Sequence, residues 1–454
     1  MSTLIRLISL FMLLAFAHIN AQAQPYLDNY IAEALKNNDG VKQQQFQLDK
    51  SMQALQEART LFLPSVSLQG DYTRAQGGRT IDLPIGDLLN PAYATLNQLT
   101  HSDNFPMLQN ESVLLNPDNF YDAKFHTSMP LINAEVYYNK QIKKQTISLQ
   151  QAAVNVYKRA LVKDVKAAYF RYYQAVQSVA IYKDALSLVE KNITVNESLL
   201  RNGVKNSTAL TRAQTEKEKV LAQITEAENN SRNTKAYFNF LLNKGLDAEI
   251  VYDTTYALVT DLQPDLDIAG RSVAAREELQ ELSIQKELYG LNKKLEQSYI
   301  IPSLSTFIDL GSQGFNWVVN DQSRYYLFGV HMQWDLFSWG QHNYRIRQAQ
   351  IDVNTTALQY DQTEKQFQLQ LTQSVNDYNS AMSNYASAKS QQQYAGKYYT
   401  DQLKAYKEGQ LLYIELIDAQ NQLTTAQLQL SLAFANVQIA KAETERNLAT
   451  YPLN

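Results

Sequence analysis

Ile301-Pro302-Ser303-Leu304-Ser305, then Trp334-Asp335-Leu336-Phe337-Ser338, then Lys407-Glu408-Gly409: these segments decide the fold, because the first half of the chain already carries the same order. There the counterparts are Leu63-Pro64-Ser65-Val66-Ser67-Leu68, Met129-Pro130-Leu131-Ile132-Asn133 and Arg201-Asn202-Gly203. Leu131 lies 205 residues before Leu336, and Gly203 lies 206 before Gly409, so one offset holds across a long stretch, the mark of an internal duplication. From Gly203 to the next helix breaker, Gly245, is 42 residues, and from Gly409 to Pro452 is 43. The halves part company once. Pro64 to Leu131 is 67 residues but Pro302 to Leu336 is 34, and the excess, holding Gly77, Gly78, Pro84, Gly86, Pro91, Pro106 and Pro117, reads as an irregular surface loop.

Around the proline-bearing segments the residues alternate with a period of two. Val66, Leu68 and Tyr72 oppose Ser65, Ser67, Gln69 and Asp71; Tyr121, Ala123, Phe125, Met129 and Leu131 oppose Asp122, Lys124, His126 and Ser128. Leu304, Ile308 and Leu310 oppose Ser303, Ser305 and Asp309, with Phe307 out of pattern, and Tyr326, Phe328, Val330, Met332 and Trp334 oppose His331, Gln333 and Asp335. A half-buried soluble sheet gives the same alternation. Segments of about 9 to 11 residues with aromatics near their ends also match strands that cross a membrane obliquely. On that reading Val66, Leu68, Phe125, Ile308, Phe328, Val330 and Trp334 face lipid. Four strands cannot close a barrel, and a bilayer tolerates no open sheet edge, so several copies must pool their strands.

Between Pro130 and Gly203 run 72 residues without glycine or proline, enough for a helix roughly 100 Å long. Val165, Tyr172, Val179, Leu186, Ile193 and Leu200 recur at sevens, with Ala168, Ala175, Tyr182 and Val189 at the companion position. Ile346, Val353, Tyr360 and Phe367, then Leu416, Leu423, Leu430 and Val437 with Ala419, Ala426, Ala433 and Ala440, do the same in the second half, which is the signature of coiled-coil seams. The spacing predicts a first repeat at 24–245 (helix 28–60, strands 64–73 and 121–131, helices 134–201 and 206–243). A linker at 246–267, rich in aspartate, follows. The second repeat spans 268–454 (helix 268–298, strands 302–311 and 325–336, helices 340–407 and 412–448). The fold class is mainly α with a membrane β-barrel, in two repeats of two strands plus a long helical hairpin.

The 454-residue chain is 45% apolar and 19% charged and has no cysteine, which excludes disulfide and zinc scaffolds. Its mean hydropathy of −0.38 and lack of long apolar runs exclude a bundle of membrane helices. Arg6, an apolar core from Leu7 to Ala17 and the small-x-small pattern Ala21-Gln22-Ala23 read as a signal peptide over 1–23. The net charge of −4 makes nucleic acid an unsuitable partner. No enzyme motif is found. His101, His126, His331 and His342 lack the spacing of a metal site, and Gly311-Ser312-Gln313-Gly314, like Gly77-Gly78, lacks the helix and lysine of a phosphate cradle, so those glycines read as hairpin loops and no cofactor is expected. Glu415 and Asp418, three apart beyond Gly409, share one helix face. They complement a helix dipole, or, brought together around an axis by several copies, they form an acidic constriction that selects cations; the matching first-repeat positions are Ala209 and Arg212.

Taken together, the repeated plan with Leu-Pro-Ser-Val-Ser and Pro-Leu-Ile-Asn, Tyr406-Lys407-Glu408-Gly409 and Glu415-Leu416-Ile417-Asp418-Ala419-Gln420 resembles the TolC family of outer-membrane efflux proteins over essentially the whole mature chain. The resemblance implies a homotrimer with a 12-stranded barrel in outer-membrane lipid continuing into a periplasmic helical barrel. It implies a passive duct fed by an inner-membrane RND or ABC transporter through a periplasmic adaptor, in a tripartite efflux or type I secretion system. Glu415, Asp418, Tyr406 and Arg212 would form the periplasmic gate, and Gly203, Gly409, Asn202 and Leu411 the adaptor-docking tips. Leu411 stands where the family carries an arginine, and Ala209 where it carries an acid. The rival reading is a periplasmic coiled-coil structural or adhesive protein with a soluble sheet; an adaptor would show one hairpin rather than two.

Overall fold

A computed structural model describes residues 25–203, 207–252 and 273–453. The signal-peptide segment and most of the 246–267 linker lie outside them. In chain order the elements are α1 (Pro25–Asn37), α2 (Asp39–Thr60), β1 (Ser65–Thr73), β2 (Thr80–Leu83), α3 (Ile85–Thr100), β3 (Glu111–Leu114), β4 (Phe120–Ile132), α4 (Ala134–Arg201) and α5 (Ser207–Leu241). The second half supplies α6 (Glu277–Gln297), β5 (Ser303–Phe315), β6 (Arg324–Gln333), α7 (Gln341–Lys407) and α8 (Tyr413–Asn447). The duplication is visible in lengths: α4 and α7 have 68 and 67 residues, and α5 and α8 have 35 each.

The chain divides into two compact units. The first, which spans 1–52, 145–289 and 351–454, is helical in its described residues. Tyr169, Phe170 and Tyr173 of α4 meet Leu27 and Ile31 of α1, Phe238 of α5 and Phe434 of α8 in one buried cluster. Tyr169 and Phe170 pack edge to face at 5.3 Å, as do Tyr30 and Phe238 at 5.2 Å, the arrangement ring quadrupoles favour. The stretch expected as one helix over 28–60 is two. Asn38 separates them: its Oδ1 accepts the backbone N–H groups of Gly40 and Val41, and its Nδ2 donates to Leu241 O at 2.9 Å. The helix predicted at 268–298 begins in the described chain as a 3₁₀ turn at Val273–Ala275 and is α-helical only from Glu277.

The long hairpins end in left-handed caps. Gly409 has φ of 77°, its N–H bonds to Tyr406 O, and the N–H of Gln410 bonds to Ala405 O, a complete Schellman motif. Gly203, at φ 70°, bonds to Leu200 O in the same way. The return helices are stopped not by Gly245 and Pro452 but earlier, by identical motifs centred on Asn243 (φ 55°) and Ala449 (φ 53°). Those two positions are also 206 residues apart.

The second unit, residues 53–144 and 290–350, holds the sheet. Its strands pair antiparallel in the order β1-β4-β5-β6, leaving β1 and β6 as edges. β5 extends to Phe315, so Gly311 and Gly314 lie inside a strand and not in a hairpin loop. A Cβ at Gly311 would sit 2.7 Å from the backbone oxygen of Ala123, so only glycine allows β4 and β5 to approach there. β6 ends at Gln333, and Trp334, Asp335 and Leu336, expected in the strand, follow it without regular structure. The expected surface loop of the first half is structured: β2 and β3 pair, and α3 packs on residues 105–110 through side chains of Asn90, Asn97 and Asn110. Pro91 sits within α3 rather than bounding it, which is why counting breakers hid the helix.

Candidate functional site

Pleating sends alternate side chains to opposite faces, and the register aligns those faces across the whole sheet. Leu68, Phe125, Leu310 and Tyr326 form one cross-strand row, and Val66, Thr127, Ile308 and Phe328 form the next. Met129, Thr306 and Val330 continue the face. All these large apolar side chains except Met129 are exposed, Tyr326 at 81% and Leu68 at 71%. Trp334 is exposed just past the strand end. Aromatics mark both ends of the sheet. At one, Trp317 stacks on Tyr121 at 5.4 Å and on Tyr72 at 5.2 Å. At the other, Trp334, Phe337 and Trp339 project outward. Thirteen-residue strands rise about 43 Å, or roughly 30 Å at a barrel tilt.

The opposite face is polar and linked. Lys124 Nζ lies 3.6 Å from both Asp122 Oδ2 and Asp309 Oδ2, His126 Nδ1 lies 2.5 Å from Asp309 Oδ1, and Tyr325 donates to Asp122 Oδ1 at 2.8 Å. Asp309 is 4% exposed. Phe307, the residue out of pattern, belongs to this face for a packing reason: it pairs with Gly329, filling the space a Cβ would need, and stacks on His126 at 6.0 Å.

The hairpin tips form the other candidate site. Tyr399, Tyr406, Tyr413, Leu416, Ala419 and Leu423 pack with Ala209 and Ala213 in a buried cluster. Polar groups are threaded through this region: Asn192 Nδ2 donates to Gln420 Oε1 at 2.7 Å, Asn196 Nδ2 to Asn192 O at 2.9 Å, and the Tyr406 hydroxyl to Asn196 Oδ1. Burial raises the pKa of Tyr399, Tyr406 and Tyr413. Sequence reasoning missed Asn192, Asn196 and Gln420, yet Asn196 continues the sevens of Ala168, Ala175, Tyr182 and Val189, a polar residue in an apolar seam, which fixes register.

The structure separates the four expected gate residues by environment. Tyr406 is fully buried, while Glu415, Asp418 and Arg212 are exposed. Glu415 Oε2 accepts the N–H of Leu412 at 3.0 Å, capping α8, and Asp418 Oδ2 accepts from Gln422 Nε2 at 2.7 Å. Of the expected docking residues, Asn202, Gly203 and Gly409 are exposed at the turns, but Leu411 is half-buried against the tip cluster and Leu412 is the exposed neighbour.

Away from the tips the helical unit carries a charged network the sequence did not disclose. Arg159 pairs with Glu277, and its guanidinium also donates to Tyr451 O. Buried Arg276 lies 3.4 Å over the Phe367 ring and pairs with Glu278 at 2.7 Å, with Gln370 and Asn447 completing its shell. Burial pushes the Glu278 carboxyl up, but hydrogen bonds and charge from Arg276 outweigh it and hold the group below its usual range.

Among the described residues no helix is long and apolar enough to cross a membrane, and no group of side chains could hold a metal ion. Residues 269–448 match the family model for outer membrane efflux protein. No curated protein matches the chain. Among solved structures, CusC is similar with a TM-score of 0.74 at 15% identity, over 94% of this chain and 92% of that one. The open-state MtrE outer membrane channel of Neisseria gonorrhoeae gives 0.72 at 15%, over 93% and 89%. The outer membrane protein VceC of Vibrio cholerae gives 0.70 at 13%, over 94% and 97%.

Proposed function

We propose that this chain, whose residues 269–448 belong to the outer membrane efflux protein family, is the outer-membrane exit duct of a tripartite efflux or type I secretion system, a channel and not an enzyme. One observation carries the reading. Each strand of an open four-stranded sheet turns most of its large apolar side chains to the same exposed face, while Asp71, Asp122, Lys124, His126 and Asp309 are gathered on the other. In water such a face aggregates, whereas in hydrocarbon it is satisfied, provided the edges of β1 and β6 are paired. Three copies supply the pairing, closing a twelve-stranded barrel, and their hairpins complete a helical tube in the periplasm.

On this reading the polar face lines the lumen, and the turns at Asn202–Gly203 and Gly409–Leu412 dock a periplasmic adaptor that couples the duct to an RND or ABC pump. Glu415, Asp418 and Arg212, exposed on their helices, meet their copies at the closed tip, with Tyr406 holding the hairpin from within. Purified protein should require detergent, run as a trimer and give stepwise ion currents in planar bilayers; a freely soluble monomer overturns the reading. Glu415→Ala combined with Asp418→Ala should alter conductance or cation preference, and unaltered currents would leave both residues as helix caps.

A further inference from the structure

The sheet unit carries opposite charge at its two ends. The helix ends that join the sheet, from α2, α4, α6 and α7, all lie at one border, because β1 and β5 start there and β4 and β6 finish there. At this border, residues 53–62, 133–144, 290–302 and 334–350 of the unit hold eight lysines and arginines against four carboxylates, a net of +4 in a chain of −4. The far border, 74–119 with 316–324, holds three arginines against six carboxylates. Two of those arginines, Arg74 and Arg324, are paired with Asp118 and Asp321. Among the described residues, none of the eight cations near the helices belongs to an ion pair.

These cations are sorted by face. Glu135 of α4, Glu296 of α6 and Arg345 of α7 line one cavity with Ser303, Gln333 and Asp335, at the end of the polar sheet face. Residues two apart on a helix point about 200° apart. Tyr137, Lys294 and Arg347 therefore turn away from the cavity, toward the side of the apolar sheet face, and Lys140 and Lys144 share the face of Tyr137. All five are exposed except Lys140, which is half-buried over the ring of Phe62. Tyr137-x-x-Lys140 recurs 207 residues on as Tyr344-x-x-Arg347, so both repeats set a ring one turn from a cation. Trp334, Phe337 and Trp339 are exposed at the same border, and aromatic rings beside cations are the chemistry of a headgroup layer.

We propose that Lys140, Lys144, Lys294 and Arg347 form a collar that binds the phosphate headgroups of anionic phospholipid in the leaflet nearest the helices. The collar rests on reading the apolar sheet face as lipid-facing. Its four residues lie within roughly 15 Å of their helix ends, and long flexible stems carry their charges toward the headgroups. Each unpaired cation favours an anionic surface by about fivefold, whereas a zwitterionic headgroup offers no net charge to meet it.

The full-length trimer, extracted in detergent from vesicles of phosphatidylglycerol and phosphatidylethanolamine in equal amounts, tests this through the lipid it retains, counted by mass spectrometry. Wild-type protein should retain an excess of phosphatidylglycerol that shrinks in about 1 M salt, where charges act only within ~3 Å. Lys140→Gln, Lys144→Gln, Lys294→Gln and Arg347→Gln together should lower the ratio at least about fivefold. Lys140→Arg with Lys144→Arg and Lys294→Arg should keep it, which separates lost charge from lost folding, and Arg345→Gln, on the cavity side, should leave it unchanged. Equal retention of the two lipids by wild type, an excess that survives the four glutamines, or an excess lost in Arg345→Gln alone overturns the collar and leaves the duct standing. Capture of the trimer by purified peptidoglycan in place of lipid does the same. Protein that stays monomeric and soluble without detergent overturns the duct and the collar together.

Discussion

The two long outgoing helices, α4 and α7, occupy equivalent places in the two repeats and differ by one residue in length, yet they are buried very differently. α4 carries Tyr169, Phe170 and Tyr173 into the main aromatic cluster and is covered on several sides. α7 leaves Ile351, Leu358, Leu369 and Tyr394 exposed, and their spacings of 7, 11 and 25 residues return to one helical face. Duplication copied the element but not its surroundings. Within a single chain α4 is satisfied while the apolar stripe of α7 stays exposed, the same division that separates the two faces of the sheet.

The strongest way to break this contrast is truncation in each helix. Tyr169→Ala removes a side chain at the centre of the cluster and should cost about 3–5 kcal/mol in unfolding of the helical unit, read by denaturant titration. Tyr394→Ala with Leu358→Ala should leave helicity intact and lower trimer yield instead; equal losses of stability would erase the distinction. Next in size is the sheet. Val330→Arg on the apolar face should cost about 2–4 kcal/mol in membranes, whereas Leu327→Arg, in the row of Asp309 on the polar face, should assemble normally.

A smaller effect concerns Glu278. Its folded pKa is depressed, so its contribution is complete above the ordinary carboxylate range near 4.5 and is lost as pH falls through the lower folded value. Glu278→Gln should cost about 1–3 kcal/mol at neutral pH and flatten the acid limb of stability; an unchanged limb would deny the pairing with Arg276. The smallest effect tests the symmetry of the tips. An added Cβ at Gly203 or Gly409 meets nothing within 4 Å, so each alanine variant carries only the left-handed backbone penalty, about 1 kcal/mol and the same in both repeats. Unequal melting shifts would show that the two caps are not equivalent.

Much of the fold was legible because it rests on periodicities. Alternation assigned the strand faces, and sevens identified Val165, Ala168, Ala175, Leu416, Ala419 and Val437 as seam residues, all of them buried. What escaped was decided by single contacts. Ala449 offers no signal for a left-handed cap, and Asn38 breaks a helix through a bond to Leu241, 203 residues away. The pairing of Arg276 with Glu278 above Phe367 joins residues that no local pattern relates. Spacing alone groups Tyr406 with Glu415, Asp418 and Arg212, but Tyr406 is internal and its hydroxyl is satisfied by Asn196, a polar residue in an apolar seam whose partner no local pattern discloses.

On the proposed reading, in which the borders of β1 and β6 are paired between protomers, these edges have a genetic consequence. A wall assembled from contributions of several protomers is only as sound as its worst contributor, so a variant that damages a strand border while still entering the assembly will spoil its companions. Mixed expression of such a variant with the normal protein should give dominant loss of export, whereas variants too unstable to associate should be recessive.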